Sequence, residues 1–178
     1  MSHRLFVALR PPGFLREALL DQMEGVEGAR WQDDGQLHLT LRYVGDLERN
    51  EANDLAEALA TIRFDPFELT IAGTGAFERK GMVHTLWAGV APSEPLRALQ
   101  RRVERVCQSA GLAGETRKFA PHITLARLNA SSGPVTAFLT RTARLNLGGW
   151  LVDFYTLYES HLRAEGSLYT PVVRYPCQ

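Results

Sequence analysis

Two four-residue stretches constrain this chain more than anything else in it: His38-Leu39-Thr40-Leu41 and His122-Ile123-Thr124-Leu125. Each alternates polar and apolar residues, and each sits inside a longer alternating run. A period of two belongs to a β-strand with one buried face. Side chains at i and i+2 of a strand leave the same face about 7 Å apart. Each strand therefore turns its Leu and Ile residues inward and shows a His and a Thr together on the other side. The other three histidines, His3, His84 and His161, have no Thr two places on.

One such pair alone is ordinary strand composition, since Thr is common in strands. Two pairs in a chain with five histidines point to a shared site. The chemistry that wants this set is hydrolysis of a phosphodiester without a metal. A base must take a proton from the attacking water, an acid must protonate the leaving oxygen, and donors must hold the non-bridging oxygens. Histidine titrates near neutrality, so one copy can be neutral while another is protonated. Threonine hydroxyls are compact donors to phosphate oxygens.

The order of elements repeats as well. Arg4–Leu9 reads as a short apolar strand. Pro11-Pro12 ends it and opens a helix over Phe14–Met23. Trp31–Gly35 is a connector. Leu37–Val44 is the first motif strand, closed by Gly45-Asp46. Glu48–Ile62 is an amphipathic helix with Leu55, Leu59 and Ile62 inward and a solvated acidic face. Phe67–Ala72 reads as a strand and Gly73–Gly81 as a loop with a short extended piece around Ala76-Phe77. The strand–helix–strand–helix series then returns: Val83–Val90, a helix from the Ser93 N-cap to Ala110 before Gly111, the second motif strand His122–Leu128, and a short helix over Pro134–Thr142. Leu145–Leu157 reads as one long strand bent at Gly148-Gly149, and Leu168–Tyr175 as the last strand after a turn at Arg163–Gly166. The two motif histidines lie 84 residues apart, about half the chain. The series predicts a single domain of two similar lobes, units 4–62 and 83–142, with strands in 145–175 completing the sheets. A pseudo-two-fold axis between the lobes would bring the motif strands face to face across a groove.

The 178 residues fit one domain. No apolar run approaches the roughly 18 residues that a membrane span needs, and Arg4, Arg10 and Arg16 break up any signal-peptide core. Cys107 and Cys177 form no CxxC or zinc pattern. Cys107 falls on the apolar side of its helix and reads as a buried thiol, which fits a reducing, cytoplasmic home. The zero net charge hides an asymmetry: residues 1–89 hold 9 Lys/Arg and 14 Asp/Glu, and residues 90–178 hold 11 and 6. That excludes a uniformly basic RNA-coating protein and leaves a local basic surface that could steer a phosphate ligand. Arg97, Arg101 and Arg105 recur on one helix and read as a solvated face before a phosphate-backbone contact.

The chain resembles the 2H phosphoesterase superfamily, and within it the LigT-like RNA 2′,3′-cyclic phosphodiesterases, also named 2′-5′ RNA ligases. The likeness rests on the paired tetrapeptides HLTL and HITL and on their flanks: RLFVALRPP, LHLTLRYVGD, KFAPHITLAR and LYESHLRAEGSLYTPVVRYP. The resemblance implies a bilobal α+β fold, with antiparallel sheets lining a central cleft and helices outside. It implies hydrolysis of a 2′,3′-cyclic phosphate at an RNA 3′ end to a 2′-phosphate. General acid–base catalysis and positioning can carry that reaction with no metal or other cofactor, and the chain is read as a monomer. By the same analogy His38 is the proton donor to the departing 3′ oxygen and His122 the acceptor that activates water, while Thr40 and Thr124 bond the non-bridging oxygens. Arg127 is a candidate phosphate ligand, although its odd spacing from Thr124 requires a bulge. Arg42 shares the parity of His38 and Thr40 and is expected at the cleft rim. Tyr43 and Phe119 are read as core residues before base-stacking ones. Three alternatives stand beside this reading: the reverse reaction joining RNA ends such as tRNA half-molecules, hydrolysis of small cyclic nucleotides, and a non-catalytic RNA-end binding module. Two titrating groups argue against the last, since binding alone needs Arg or Lys.

Overall fold

Alternation along the chain becomes sheet. The computed structural model describes residues 1–178, with strands β1 (Ser2–Leu9), β2 (Arg30–Trp31), β3 (Leu39–Glu48), β4 (Phe67–Arg79), β5 (Met82–Val90), β6 (Ile123–Arg127), β7 (Asn146–Val152), β8 (Phe154–Arg163) and β9 (Gly166–Pro176). Helices α1 (Gly13–Leu20), α2 (Arg49–Leu59), α3 (Glu94–Ser109) and α4 (Thr136–Thr142) lie between them. This is an α+β protein. The strands form one antiparallel sheet in the order β7-β4-β5-β6-β3-β1-β8-β9, with β2 paired to β6. Four strands on each side meet at the two motif strands, which are joined through the single pair Leu39↔Ile123. The motif strands are thus neighbours in one sheet, where the sequence reading set them across a groove.

The helices cover one face of the sheet. Leu15 and Leu19 of α1, Leu55 and Leu59 of α2, Leu96, Leu99, Val103 and Cys107 of α3, and Phe138 of α4 join Leu5, Val7, Leu39, Leu41, Leu69, Ile123 and Leu125 from the strands in one apolar cluster. Helix α3 starts as expected, with Ser93 Oγ accepting from the Leu96 N–H at 3.2 Å. The alternate strand positions, Phe6 and Ala8 with Tyr158, form a small second cluster on the opposite face.

Two glycines that the sequence marks as strand ends, Gly45 and Gly73, are bends within strands instead. Strand β3 runs through Gly45-Asp46, because Gly45 adopts φ +93° next to a register shift against β1. Strand β4 runs through Gly73 (φ +72°) in the same way. The predicted loop over 73–81 shrinks to Lys80-Gly81, both with positive φ, as the two-residue turn of the β4–β5 hairpin. The long strand predicted over 145–157 is two strands parted at Asp153: β7 pairs with β4 in one half of the sheet, and β8 with β1 and β9 in the other.

Candidate active site

Leu39 and Ile123 face each other in the β3–β6 pair, and that register fixes the site. Continued by one residue on each side, it sets His38 opposite Thr124 and Thr40 opposite His122. Cross-strand neighbours are about 5 Å apart and i, i+2 neighbours about 7 Å apart. The four side chains therefore stand at the corners of a small rectangle, with the histidines on one diagonal and the threonines on the other. All four line one cavity of about 230 Å³, together with Phe6, Gln32, Tyr43, Arg127, Ser160 and Tyr169. Its wall carries no carboxylate.

The two histidines are held alike. Nδ1 of His38 lies 2.7 Å from the Gln36 carbonyl, and Nδ1 of His122 lies 2.7 Å from the Ala120 carbonyl. A carbonyl oxygen only accepts, so each Nδ1 carries the hydrogen and leaves Nε2 as the working nitrogen. Aromatic rings pack both imidazoles: Phe6 at 4.8 Å and Tyr169 at 5.1 Å from His38, Phe77 at 4.8 Å and Trp87 at 6.3 Å from His122. This burial disfavours the charged form. It pushes His38 down to about 4, opposed by the bond to Gln36 and helped by the positive charges of Arg10, His122 and Arg127. Burial lowers His122 too, with Arg127 adding to it. Neither threonine hydroxyl is engaged by another protein group.

Each motif strand carries a bulge one residue beyond its threonine. Against β1, Ala8 pairs with Thr40 and Val7 with Arg42, so Leu41 is the extra residue. Against β5, Trp87 pairs with Thr124 and Leu86 with Ala126, so Leu125 is the extra residue. The bulge reverses the parity that follows it. Arg127 consequently swings to the cavity, where Nη1 donates to Thr85 Oγ1 at 3.1 Å. The same bulge carries Arg42 away from the rim expected for it. Arg42 is buried on the helix side, where it pairs with Glu104 of α3 and donates to the carbonyls of Tyr43, at 2.7 Å, and Ala113. Tyr43 takes the place read for Arg42: half of its surface is exposed and it lines the cavity, against the core position expected of it. Phe119 does pack against the core.

Phe6, Ser160 and Tyr169 carry no mark in the sequence that assigns them to the site. Phe6 sits in the all-apolar run Leu5–Leu9, where no polar residue marks the cavity face, and Ser160 and Tyr169 arrive from a hairpin more than a hundred residues after His38. The alternation around Tyr169 was the available signal, and it names a face without naming the cleft.

The family model described as "2′-5′ RNA ligase superfamily" matches residues 11–161. The chain belongs to the 2′-5′ RNA ligase superfamily. Among its relatives, the RNA 2′,3′-cyclic phosphodiesterase of Aeropyrum pernix is 32% identical over 140 residues, which span 77% of this chain and 80% of that protein. The RNA 2′,3′-cyclic phosphodiesterase of Thermus thermophilus is 31% identical over 183 residues, spanning 97% and 89%. The crystal structure of E. coli LigT complexed with 3′-AMP superposes with a TM-score of 0.82 at 26% identity, covering 100% of this chain and 99% of that one. The paired histidine-threonine strands of this superfamily member are the motifs on which the sequence resemblance rested.

Proposed function

We propose that this protein is an RNA 2′,3′-cyclic phosphodiesterase that opens a terminal cyclic phosphate to a 2′-phosphate. The observation that carries the reading is the diagonal of two imidazoles, each with Nδ1 tied to a carbonyl and Nε2 free, around a cavity that also holds two threonines and Arg127. The relatives named for this activity support it.

In the proposed reaction the cyclic phosphate sits between the four corners. Nε2 of His122 takes a proton from a water whose oxygen bonds to phosphorus. The phosphorus–O3′ bond breaks on the far side, and Nε2–H of His38 gives its proton to O3′, which leaves as the 3′-hydroxyl. The 2′ ester stays intact. Thr40, Thr124 and Arg127 hold the non-bridging oxygens as charge builds on them. Arg42 has no part in this, since it is spent on Glu104. With a 5′-hydroxyl in place of water as the attacking group, the same steps form the O5′–phosphorus bond, break the phosphorus–O3′ bond and leave a 2′-5′ linkage, the product in the superfamily's description.

The test is a mass-resolved assay of an RNA ending in a 2′,3′-cyclic phosphate, with His38→Ala and His122→Ala. Wild-type should yield the 2′-phosphate, and each variant should lose about 10² to 10⁴ in rate. A substrate with sulfur in place of O3′ needs little acid help, so it should rescue His38→Ala and not His122→Ala. Rescue of the other variant would exchange the two roles. Normal turnover by either alanine variant would defeat the mechanism.

A further inference from the structure

We infer that the RNA strand leading to the reacting end lies along a groove formed by Arg30, Arg127 and Arg163, and that this groove selects an oligonucleotide end over a nucleoside cyclic phosphate. The inference rests on the phosphodiesterase reading and adds a substrate preference to it.

The groove has a volume of about 510 Å³ and shares Gln32, Arg127 and Tyr169 with the catalytic cavity, so the two are continuous. Arg30 and Arg127 are direct partners in the β2–β6 ladder. Like charges placed opposite each other in a ladder destabilise it. Arg163 comes to the same wall from the end of β8, at the turn into β9. All three arginines are exposed, and no carboxylate pairs with any of them: Arg127 bonds the Thr85 hydroxyl, and Arg30 and Arg163 form no ion pair. Glu165 is the one carboxylate on the wall. Arg49, Arg79 and Arg105 are exposed and unpaired as well, but none of them lines the catalytic cavity or the groove that opens from it; Arg30, Arg127 and Arg163 are gathered on one wall beside it. Positive charge left uncompensated beside a phosphate site is what a polyanion neutralises on binding.

The opposite side of the catalytic cavity differs. There a space of about 410 Å³ is walled largely by apolar groups such as Phe77, Trp87, Leu96 and Pro121, with Arg97 its one guanidinium. Of the two directions away from the reacting phosphorus, only the arginine side matches a chain with one charge per nucleotide. A nucleoside 2′,3′-cyclic phosphate has no phosphodiester on its 5′ side and so nothing to place there.

The experiment compares two substrates, a short RNA ending in a 2′,3′-cyclic phosphate and a nucleoside 2′,3′-cyclic phosphate, on wild-type and on Arg30→Gln/Arg163→Gln. Arg127 is left intact because it also lines the catalytic cavity. The double variant should lose at least roughly tenfold in kcat/KM on the RNA, mainly through KM, and nothing on the nucleoside. Its slope of log kcat/KM against log salt should flatten by about 1.4, about 0.7 for each single-strand phosphate contact removed. Equal losses on both substrates, or no loss on the RNA, would overturn the groove while leaving the phosphodiesterase reading in place. If wild-type turned over neither substrate, that reading would fail instead. Fluorescence anisotropy of a labelled RNA ending in a 2′-phosphate then judges the groove alone: weaker binding by the double variant supports it, and equal binding overturns it.

Discussion

An anion in the site should make His38 a different acid. In the empty cavity burial holds the ring at about 4. Protonating it at pH 7 then costs about three pKa units, or about 4 kcal/mol, so about one molecule in a thousand carries that proton. A proton donor must carry it. One phosphate charge about 4 Å from the ring, at an effective dielectric near 20, returns about 4 kcal/mol. The two magnitudes cancel, and they place the loaded His38 near neutrality. Sulfate is the clean probe, because it stays a dianion across the range. Long-range proton–nitrogen NMR of the imidazoles, assigned with His38→Ala, should show His38 neutral down to about pH 5 without sulfate and titrating at least about three units higher with it, since sulfate brings two charges. In kinetics the kcat bell, which reports the complex, should lie at higher pH than the kcat/KM bell, which reports the free enzyme. The same shift has a stability consequence. The folded pKa lies below the ordinary 6.5, so the unfolded chain binds the proton first. The empty protein should therefore lose stability as pH falls from about 6.5 toward 4, and sulfate should flatten that loss. A free His38 titrating near 6.5, or a sulfate-loaded one still neutral below pH 5, would refute the reasoning.

Arg42→Met removes the partner of the part-buried Glu104 carboxylate, which burial pushes up and the bonds from Arg42, the Glu115 N–H and Gln108 hold low; breaking such a pair costs about 3–5 kcal/mol. Thermal unfolding should show the loss, Arg42→Met/Glu104→Leu should recover much of it, and KM should stay unchanged; a raised KM with normal stability would return Arg42 to the cleft. Gly75→Ala would set a Cβ 2.2 Å from the Trp87 ring, which packs beside His122; the ring must shift, so kcat should fall at least roughly tenfold with the far-UV circular dichroism unchanged. Normal kcat in that variant would show that Trp87 does not position His122. Activity should survive EDTA, because every proton in the scheme moves through an imidazole; loss on chelation with recovery on adding Mg²⁺ or Zn²⁺ would oppose it.

How much of the fold and the site is legible in the sequence depends on what kind of physical signal each residue leaves. His38, Thr40, His122 and Thr124 announce themselves because a polar pair at i, i+2 contrasts with its aliphatic neighbours, and period two converts that contrast into a shared face. The helices α1 to α4 were legible from spacing and caps. What the alternation could not carry was parity beyond a bulge. Leu41 and Leu125 are ordinary strand residues, and nothing in their side chains says that two residues here oppose one on the neighbouring strand. The insertion is a property of the ladder, set by β1 and β5. Counting by twos therefore sends Arg42 to the cleft and admits Arg127 only if a bulge intervenes; the bulge on β3 overturns the first placement and the bulge on β6 meets the condition of the second. The bulge is informative because it occurs at equivalent positions of the two motif strands. A bulge one residue past each threonine ends the His-Thr face and brings one more side chain into the cavity, Tyr43 on one strand and Arg127 on the other. The duplication thus keeps the four reacting corners alike and varies the third position. An aromatic ring stands on the β3 side and a guanidinium on the β6 side. That difference breaks the symmetry of the site, and it gives an asymmetric substrate a reason to bind one way round.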